Sequence, residues 1–316
     1  MSKERFAPRS RLFAAFLAMV APMILGFQAL QAQAAPPAKQ AAPQTPSMTT
    51  QHIAGGLYLV KGGSGANTAF YVGEKGVIAI DAKMTADAAK QMLAEITKVT
   101  TLPVIMILIT HSDGDHINGL TGFPEGLDII SSEGAKKEMI EAFKSENFAG
   151  HRRYLPTKTF KDPFTILPPM PDGNSALIMM YHFGPAHTSG DAVIVFTDEK
   201  TAFVGDLVFI GRDPLIHRQK GGTVFGYLDT LKKLIDLKDV ETYLSGHADP
   251  QTKADLRALL TTLEEKAAKV KAMVAEGKTL DEVKAAFGLQ PAAGSQPSRW
   301  PSFVENIYLE LAGKKK

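Results

Sequence analysis

The segment Thr110-His111-Ser112-Asp113-Gly114-Asp115-His116 carries four potential metal ligands within six residues. It directly follows the apolar run 104–109, whose composition predicts a buried β-strand. Taken alone, the segment could equally be a loop whose Asp and Ser side chains cap a helix that begins near Ile117. The choice between a helix cap and a metal site therefore depends on the rest of the chain.

The spacing of the four side chains is suited to two neighbouring ions. Alternate residues of an extended backbone face one way, so His111 and Asp113 are expected to share one ion. Gly114 can provide the turn that lets Asp115 and His116 reach another. Two ions a few ångströms apart can bind a substrate oxygen and supply a hydroxide at neutral pH.

Three further segments each place one potential ligand just after a predicted strand. They are Pro185-Ala186-His187, Val204-Gly205-Asp206 and Ser245-Gly246-His247. A helix cap would explain the first segment but not these three. The four segments together therefore favour a metal site.

Predicted elements follow a similar order in the two halves of the chain. In the first half the pattern predicts strands 57–60, 69–72, 77–80 and 104–109 with helices 85–98 and 131–144; in the second half it predicts strands 176–183, 192–196, 202–204 and 242–244 with helix 223–237. Such halves indicate an α+β fold with two sheets packed face to face and helices outside, an αββα sandwich over residues 52–249. Residues 250–316 are expected to form a helical extension, with a long helix through Val274 and shorter helices at 279–287 and 302–311.

These residues, in this order, resemble the motifs of the metallo-β-lactamase superfamily, which run Asp, H-x-H-x-D-H, His, Asp and His. Asp81 matches the first motif, and residues 111–116, His187, Asp206 and His247 match the other four. The resemblance covers roughly residues 52–250. It implies the same αββα fold that the strand pattern predicts.

The resemblance also implies a ligand set for two divalent metal ions. The first ion would be bound by His111, Asp113 and His187, the second by Asp115, His116 and His247, and Asp206 would bridge both. Asp115 would in addition help to orient the attacking hydroxide. Asp81 is expected to position the loop that carries the histidines without binding metal.

Asp113 departs from the family pattern, which has a histidine there. A carboxylate is still a metal ligand, but it adds a negative charge and a harder donor. We therefore expect zinc, with a preference shifted towards iron or manganese. Because aspartate is shorter than histidine, the first site could also be weak or empty.

The expected activity is hydrolysis of a small molecule by a metal-bound hydroxide at an ester, thioester, lactone or related bond. The fold hosts many such reactions and does not select one. Three alternatives stay open: a non-haem iron oxidoreductase, which Asp113 favours; a periplasmic accessory protein of quinoprotein dehydrogenase systems; and a binding module that has lost catalysis. The six other ligands disfavour the last.

Several residues outside the motifs have less definite expectations. His52, His151, His182 and His217 are expected in surface or core positions, and His182 is expected to come nearest to the site because it lies five residues before His187. The segment 62–67 resembles the flexible loop that covers the active site in the superfamily. A plain hairpin turn is equally consistent with it.

The N-terminal sequence is basic and then apolar. Lys3, Arg5, Arg9 and Arg11 precede the apolar run 12–30, which ends before Ala32-Gln33-Ala34, a small-x-small cleavage site. Residues 1–34 are therefore predicted to be a signal peptide and 35–51 a flexible leader, which implies a periplasmic or secreted protein. An uncleaved membrane anchor is the alternative, disfavoured by Pro22 and Gln28.

The composition limits the kinds of binding partner that we expect for this chain. The chain has 35 basic and 33 acidic residues, and its formal charge of +2 becomes negative once residues 1–34 are removed. The remaining chain has no cationic excess for nucleic acid or an anionic membrane. We expect a small-molecule substrate, no nucleic-acid partner and no stable membrane insertion after signal cleavage; the sequence does not set the oligomeric state. The chain has no cysteine, so any metal ligands are nitrogen and oxygen atoms.

Cleavage of the signal can be tested directly. N-terminal sequencing of protein recovered from the exported fraction should begin at Ala35, because the small side chains before it suit signal peptidase. Exported protein that still begins at Met1 would contradict this prediction.

Overall fold

The computed structural model describes residues 47–161, 163–166, 177–290 and 300–313. The predicted signal peptide and leader residues 35–46 lie outside these ranges. The strands of the described residues are β1 (Met48–Ala54), β2 (Leu57–Gly62), β3 (Thr68–Val72), β4 (Val77–Ile80), β5 (Val104–Leu108), β6 (Asp128–Ser132), β7 (Lys158–Phe160), β8 (Phe164–Ile166), β9 (Ile178–Tyr181), β10 (Val193–Phe196), β11 (Thr201–Phe203), β12 (Thr242–Leu244) and β13 (Gln251–Thr252). The α-helices are α1 (Ala86–Val99), α2 (Gly114–Ile117), α3 (Glu133–Ala142), α4 (Val224–Asp236), α5 (Lys253–Ala275), α6 (Leu280–Ala286) and α7 (Phe303–Gly313).

The strands form two sheets. The first sheet has the order β1-β2-β3-β4-β5-β6-β7; β1 to β4 pair antiparallel, and β4 to β7 pair parallel. The second has the order β13-β12-β11-β10-β9-β8, in which only β11 and β12 pair parallel. The parallel pairs matter for function, because the carboxyl ends of parallel strands share one edge of a sheet.

Alternating side chains of the central strands are buried on both faces. In β10, Ile194 and Phe196 lie between the sheets, whereas Val193 and Val195 pack against the outer helices. The inner layer joins the two sheets, with Leu59, Ile80 and Leu108 from the first and Phe203 and Leu244 from the second among its members. Helices α1 and α3 cover the first sheet, and α4 and α5 cover the second. The structure therefore confirms the αββα sandwich.

The C-terminal helices pack on the second sheet's outer layer. Leu263 and Val270 of α5 and Phe303 and Ile307 of α7 share one buried cluster with Leu231 of α4. A capping box between Thr252 and Asp255 begins α5. The predicted helical extension is thus present as α5, α6 and α7. In the described part of the chain, no helix combines the length and apolar character needed to cross a membrane.

Two sequence predictions need correction. Met48–Gln51, assigned to the flexible leader, belong to β1, which pairs antiparallel with β2. The leader prediction rested on composition, and composition does not register pairing with a later strand. The predicted helix 131–144 begins at Glu133, since Ser131 and Ser132 still belong to β6 and Ser132 caps the helix as expected.

Lys83 fixes the segment 62–67, which connects β2 and β3. Its side chain is fully buried, and its ammonium donates to the carbonyls of Gly62 (2.9 Å) and Ala66 (2.7 Å). Ala66 in turn donates to the carbonyl of Asp115, and Asn67 donates to that of Gly246. The segment 62–67 therefore braces both loops that carry the candidate ligands Asp115 and His247.

Replacement of this lysine tests the bracing. Lys83→Met should lower the free energy of unfolding by about 2 kcal/mol at pH 7, because two buried carbonyls lose their donor. Burial lowers the pKa of Lys83 to about 8, partly opposed by the Asp81 charge. Between about pH 8 and the ordinary value of 10.5, the unfolded chain holds a proton that the folded chain has lost. The wild-type protein should thus gain stability relative to Lys83→Met as the pH rises through this range.

Denaturant titrations of both proteins at pH 7 and pH 9.5 would measure the difference. Lys137→Met, at an exposed position on α3, is the matched control and should change neither value. A pH-independent difference would contradict the assigned burial of the Lys83 charge.

Candidate metal centre

The candidate ligands lie at one edge of the sandwich, in loops that follow strands of both sheets. Residues 110–116 follow β5, Asp206 follows β11, and His247 follows β12. His187 lies in the loop between β9 and β10. Ala192 donates to the carbonyl of Thr110 across the two sheets. One edge of the sandwich thus collects residues that are far apart in sequence.

The side chains form two groups that share Asp206. Within each group the potential ligand atoms lie no more than 4.8 Å apart, and the groups are His111, Asp113, His187 and Asp206, and Asp115, His116, Asp206 and His247. The structure thus brings together all seven residues singled out in the sequence. It also divides residues 111–116 between two groups, as their spacing predicts.

Three histidines are held through Nδ1, which leaves Nε2 for the centre. His187 Nδ1 donates to the carbonyl of Leu215 at 2.7 Å. His116 Nδ1 donates to the carboxylate of Asp81 at 2.7 Å. The hydroxyl of Thr110 already donates to Asp81, so at His111 it accepts from Nδ1. Such anchoring of the second ring nitrogen is usual for histidines that bind metal.

Unsatisfied buried atoms test whether these residues fit metal ions. His111 Nε2, His116 Nε2 and Asp206 Oδ1 are buried and have no hydrogen-bond partner. His116 Nε2 lies only 3.1 Å from Asp206 Oδ1, without hydrogen-bond alignment. Buried polar atoms of this kind are costly unless something satisfies them. A cation between the imidazoles and the carboxylate would do so, and the nitrogen and oxygen donors suit divalent ions.

Asp81 organises the centre without belonging to either group. It has a positive φ of 58°, a conformation that is uncommon outside glycine. One carboxylate oxygen accepts from the backbone of Thr110 (2.8 Å), and the other accepts from the Thr110 hydroxyl and His116. Asp81 therefore sets the orientation of the histidine-bearing loop.

Gly246 is required by close packing at the centre. A Cβ at this position would lie 2.5 Å from Asp206 Oδ1 and 2.8 Å from Cε1 of His116. Any other residue would push these two side chains apart. The Gly-His pair that ends this loop thus serves two purposes: glycine makes room and His247 enters the site.

The charges of the centre reinforce one another. Burial lowers the pKa of His247, but the hydrogen bonds with Asp115 and Asp206 raise it overall to about 9. Burial likewise lowers the pKa of His187, and the hydrogen bond with Asp113 together with the charge on Asp206 raises it to about 9. Burial raises the pKa of Asp206, yet the neighbouring His116 holds it well below its usual range. The imidazoles thus attract protons, and metal binding would release them.

Asp113 has an unexpected cationic partner. Lys220 Nζ donates to Asp113 Oδ1 at 2.7 Å and to both the carbonyl and the hydroxyl of Ser112. The other oxygen, Oδ2, lies 3.0 Å from His187 Nε2 and 3.7 Å from His111 Nε2. One oxygen therefore binds the ammonium while the other faces the histidines. Lys220 offsets the charge that Asp113 brings where the family pattern has a histidine.

His217 is the second residue that the sequence analysis missed. Its Nε2 lies 3.0 Å from Asp113 Oδ2, and its backbone donates to the carbonyl of His187. The expectation that His182 would come nearest to the site is wrong, since His182 Nδ1 is engaged with the carbonyl of Asp191. Sequence distance from His187 was a poor guide, because the ring of His182 binds the carbonyl of Asp191 while His217, thirty residues after His187, reaches Asp113.

A double-mutant cycle tests the pairing of Lys220 with Asp113. In chelator-treated protein, Lys220→Met should lower the free energy of unfolding by about 2 kcal/mol, because Asp113 keeps a buried charge without its partner. In an Asp113→His background the same change should cost less than about 0.5 kcal/mol, because the charge is gone. Urea unfolding of the four proteins gives the coupling energy.

The control is Lys200→Met, which breaks the exposed pair with Glu241 and should change stability little. Additive effects of the two substitutions at Lys220 and Asp113, within about 0.5 kcal/mol, would refute the charge pairing.

Comparison with known proteins agrees with this geometry. Residues 62–247 match the family model of the metallo-beta-lactamase superfamily. The alpha subunit of 2,4-dinitroanisole O-demethylase from Nocardioides sp. (strain JS1661) is 26% identical over 204 residues, which are 64% of this chain and 58% of that protein. The chain thus matches little more than half the length of this curated relative.

Solved structures show the same fold at low sequence identity. The metallo-beta-lactamase from Pontibacter korlensis superposes with a TM-score of 0.57 and 17% identity, covering 68% of this chain and 98% of that one. The DIM-1 metallo-beta-lactamase gives a TM-score of 0.56 and 14% identity, covering 69% and 97%. The family model spans more than half of the chain and includes six of the seven candidate ligands between its ends, with His247 as its last residue. The chain belongs to the metallo-beta-lactamase superfamily.

Proposed function

We propose that this chain is an exported metallo-hydrolase that cleaves an ester, thioester, lactone or related bond of a small molecule. The observation that carries the proposal is the shared carboxylate of Asp206 between two groups of ligand atoms. Membership of the superfamily supports metal-dependent hydrolysis as the general activity. The export, the bond type and the metal are the finer parts of the proposal.

The two groups differ in their access to solvent, which suggests where substrate enters. The side chains of His247 and Asp115 are 27% and 21% exposed, whereas those of His111 and His187 are almost fully buried. Substrate would therefore approach over His247 and Asp115. The buried group that contains His111 and His187 would lie on the side of the reacting bond away from solvent.

The residues of the chain would divide the chemistry among them. Divalent ions, when bound, would polarise a substrate oxygen and make water acidic enough to react near neutral pH. Asp206 would contribute ligand atoms to both groups. Asp115, on the open side, would accept a hydrogen bond from the attacking water and orient its lone pair. Asp81 would keep His116 Nε2 pointing into the centre.

We propose two divalent ions at this centre, with zinc as the first candidate and iron or manganese as alternatives. The exchange of an imidazole for the Asp113 carboxylate favours the harder ions. The ammonium of Lys220 opposes this shift, because it already takes up one of the two oxygens. The seven side chains are three carboxylates and four imidazoles, a donor set that suits divalent ions.

A non-haem iron oxidoreductase is the second candidate. Asp113 is the observation that favours it, since carboxylate and imidazole ligands together suit iron. The O-demethylase relative acts on an ether, as its name states, and a methyl aryl ether therefore belongs among the compounds to be tested.

Export is supported by the basic and apolar N-terminal sequence, and the absence of cysteine is compatible with an oxidising compartment. A small-molecule substrate without a nucleic-acid partner agrees with the net charge of the chain after residue 34.

Elemental analysis and a substrate panel test the proposal together. Protein purified without added metal should contain close to two divalent ions per chain and should hydrolyse at least one compound of a panel containing an ester, a thioester, a lactone, a β-lactam and 2,4-dinitroanisole. A chelator should abolish turnover, and one of the three metals should restore it. Asp206→Ala should lose both metal and at least about 100-fold in kcat/KM, because both groups lose their shared ligand.

His52→Ala is the control, since His52 is an exposed residue of β1 that contacts the carbonyl of Gly55 and the ring of Tyr58 and none of the candidate ligands. Full turnover by Asp206→Ala would overturn the proposed centre. Turnover that consumes dioxygen would favour the oxidoreductase instead.

A further inference from the structure

A cavity of about 370 Å³ is lined in part by Phe209, whose ring packs against that of His247. The loop after Asp206 forms one wall, with Phe209, Ile210 and Arg212, and helix α5 forms the other, with Leu259 and Leu263 among the lining residues. The cavity therefore combines apolar walls with a cationic side chain, which is typical of small-molecule sites.

Phe209 connects this cavity to the candidate ligands. Its ring lies nearly parallel to that of His247, at 12° with 5.6 Å between centroids, and 6.3 Å from that of His187. Phe209 is itself buried, whereas the next residue, Ile210, is 44% exposed. A substrate that reacts beside His247 would thus meet an apolar surface on its way into the cavity.

Arg212 is the unpaired charge of the cavity. Its guanidinium lies 4.6 Å from the centroid of Phe209, and it forms no ion pair with any carboxylate in the described ranges. The two acidic residues that line the cavity are occupied elsewhere: Asp213 pairs with Lys266, and Asp255 accepts from Thr252 in the capping box of α5. The guanidinium is thus free to bind an anion.

We propose that this cavity binds the remote end of the substrate, and that this end is an apolar ring or chain bearing an anionic group such as a carboxylate or sulfonate. The anion would bind Arg212, and the apolar body would pack on Phe209, Ile210 and Leu259. Arg212 and His247 both lie against the ring of Phe209, so a benzene ring is a suitable spacer between the anion and the scissile bond in a test compound. The inference names a substrate class and rests on the proposed hydrolase function.

Binding of a non-reactive probe tests the cavity independently of turnover. Benzenesulfonate carries a ring and an anion and is a poor metal ligand. Isothermal titration should show saturable binding to the wild-type protein, weakened about tenfold by Arg212→Gln, because a charge-assisted contact is lost. Arg212→Lys should retain part of the affinity, and the neutral benzyl alcohol should bind both proteins equally.

Arg257→Gln is the matched control, since Arg257 is an exposed arginine of α5 that does not line the cavity. It should bind benzenesulfonate as the wild type does, and the thermal unfolding of both variants should match the wild type. Equal binding of benzenesulfonate by wild type and Arg212→Gln, or no binding by either, would overturn the inference.

Kinetics with a matched pair of esters separates this inference from the proposed function. Arg212→Gln should raise KM for 4-acetoxybenzoate about tenfold, with kcat and the KM for phenyl acetate unchanged. Arg212-dependent binding of benzenesulfonate without hydrolysis of any panel compound would contradict the hydrolase but support the cavity. Hydrolysis that is indifferent to Arg212 for both esters would support the hydrolase and contradict the cavity.

Discussion

The buried carboxylate of Asp206 is the interaction on which the rest of the centre depends. Its oxygens lie 3.1 Å from His116 Nε2 and from His247 Nε2, and 3.9 Å and 4.0 Å from those of His187 and His111. Burying such a charge costs several kcal/mol unless other charges compensate it. The fold meets this cost by bringing four imidazoles from three separate loops to one edge of the sandwich. Gly246 leaves room for the carboxylate, and Asp81 fixes the imidazole of His116.

The surroundings of Asp113 show how a change of ligand type can be accommodated. Replacing an imidazole by a carboxylate adds a negative charge to a site that already contains Asp115 and Asp206. Lys220 reaches this position from the loop before α4 and binds one oxygen, while His217 approaches the other. The net charge of the first group thus stays close to that of a histidine site, although the donor atom facing the centre is now oxygen. The exchange of a nitrogen donor for an oxygen donor favours harder ions, and Lys220 moderates that preference because it binds one of the two oxygens.

Most of the architecture could be predicted because it depends on local signals. The runs 77–80 and 104–108 are apolar on both faces, as the central strands of a covered sheet must be. Asp81 and residues 111–116 follow these strands closely, and Asp206 and His247 lie three residues after β11 and β12. The parts that could not be predicted depend on pairing across the chain. Met48–Gln51 has no apolar periodicity and is a strand only because β2 lies beside it. Lys220 and His217 belong to no motif and reach Asp113 across more than a hundred residues. One signal was available in the sequence. Asp113 is a carboxylate at a histidine position of the family pattern, and the basic residues His217 and Lys220 lie shortly before Gly221 and Gly222.

The central claim is that two ions share Asp206, and anomalous X-ray scattering tests it most directly. Crystals of the zinc-loaded protein would be measured on both sides of the zinc absorption edge. The account predicts two peaks in the anomalous difference map, one among His111, Asp113, His187 and Asp206 and one among Asp115, His116, His247 and Asp206. A single peak would contradict the shared centre, and a map without a peak at either group would contradict metal binding by these residues altogether.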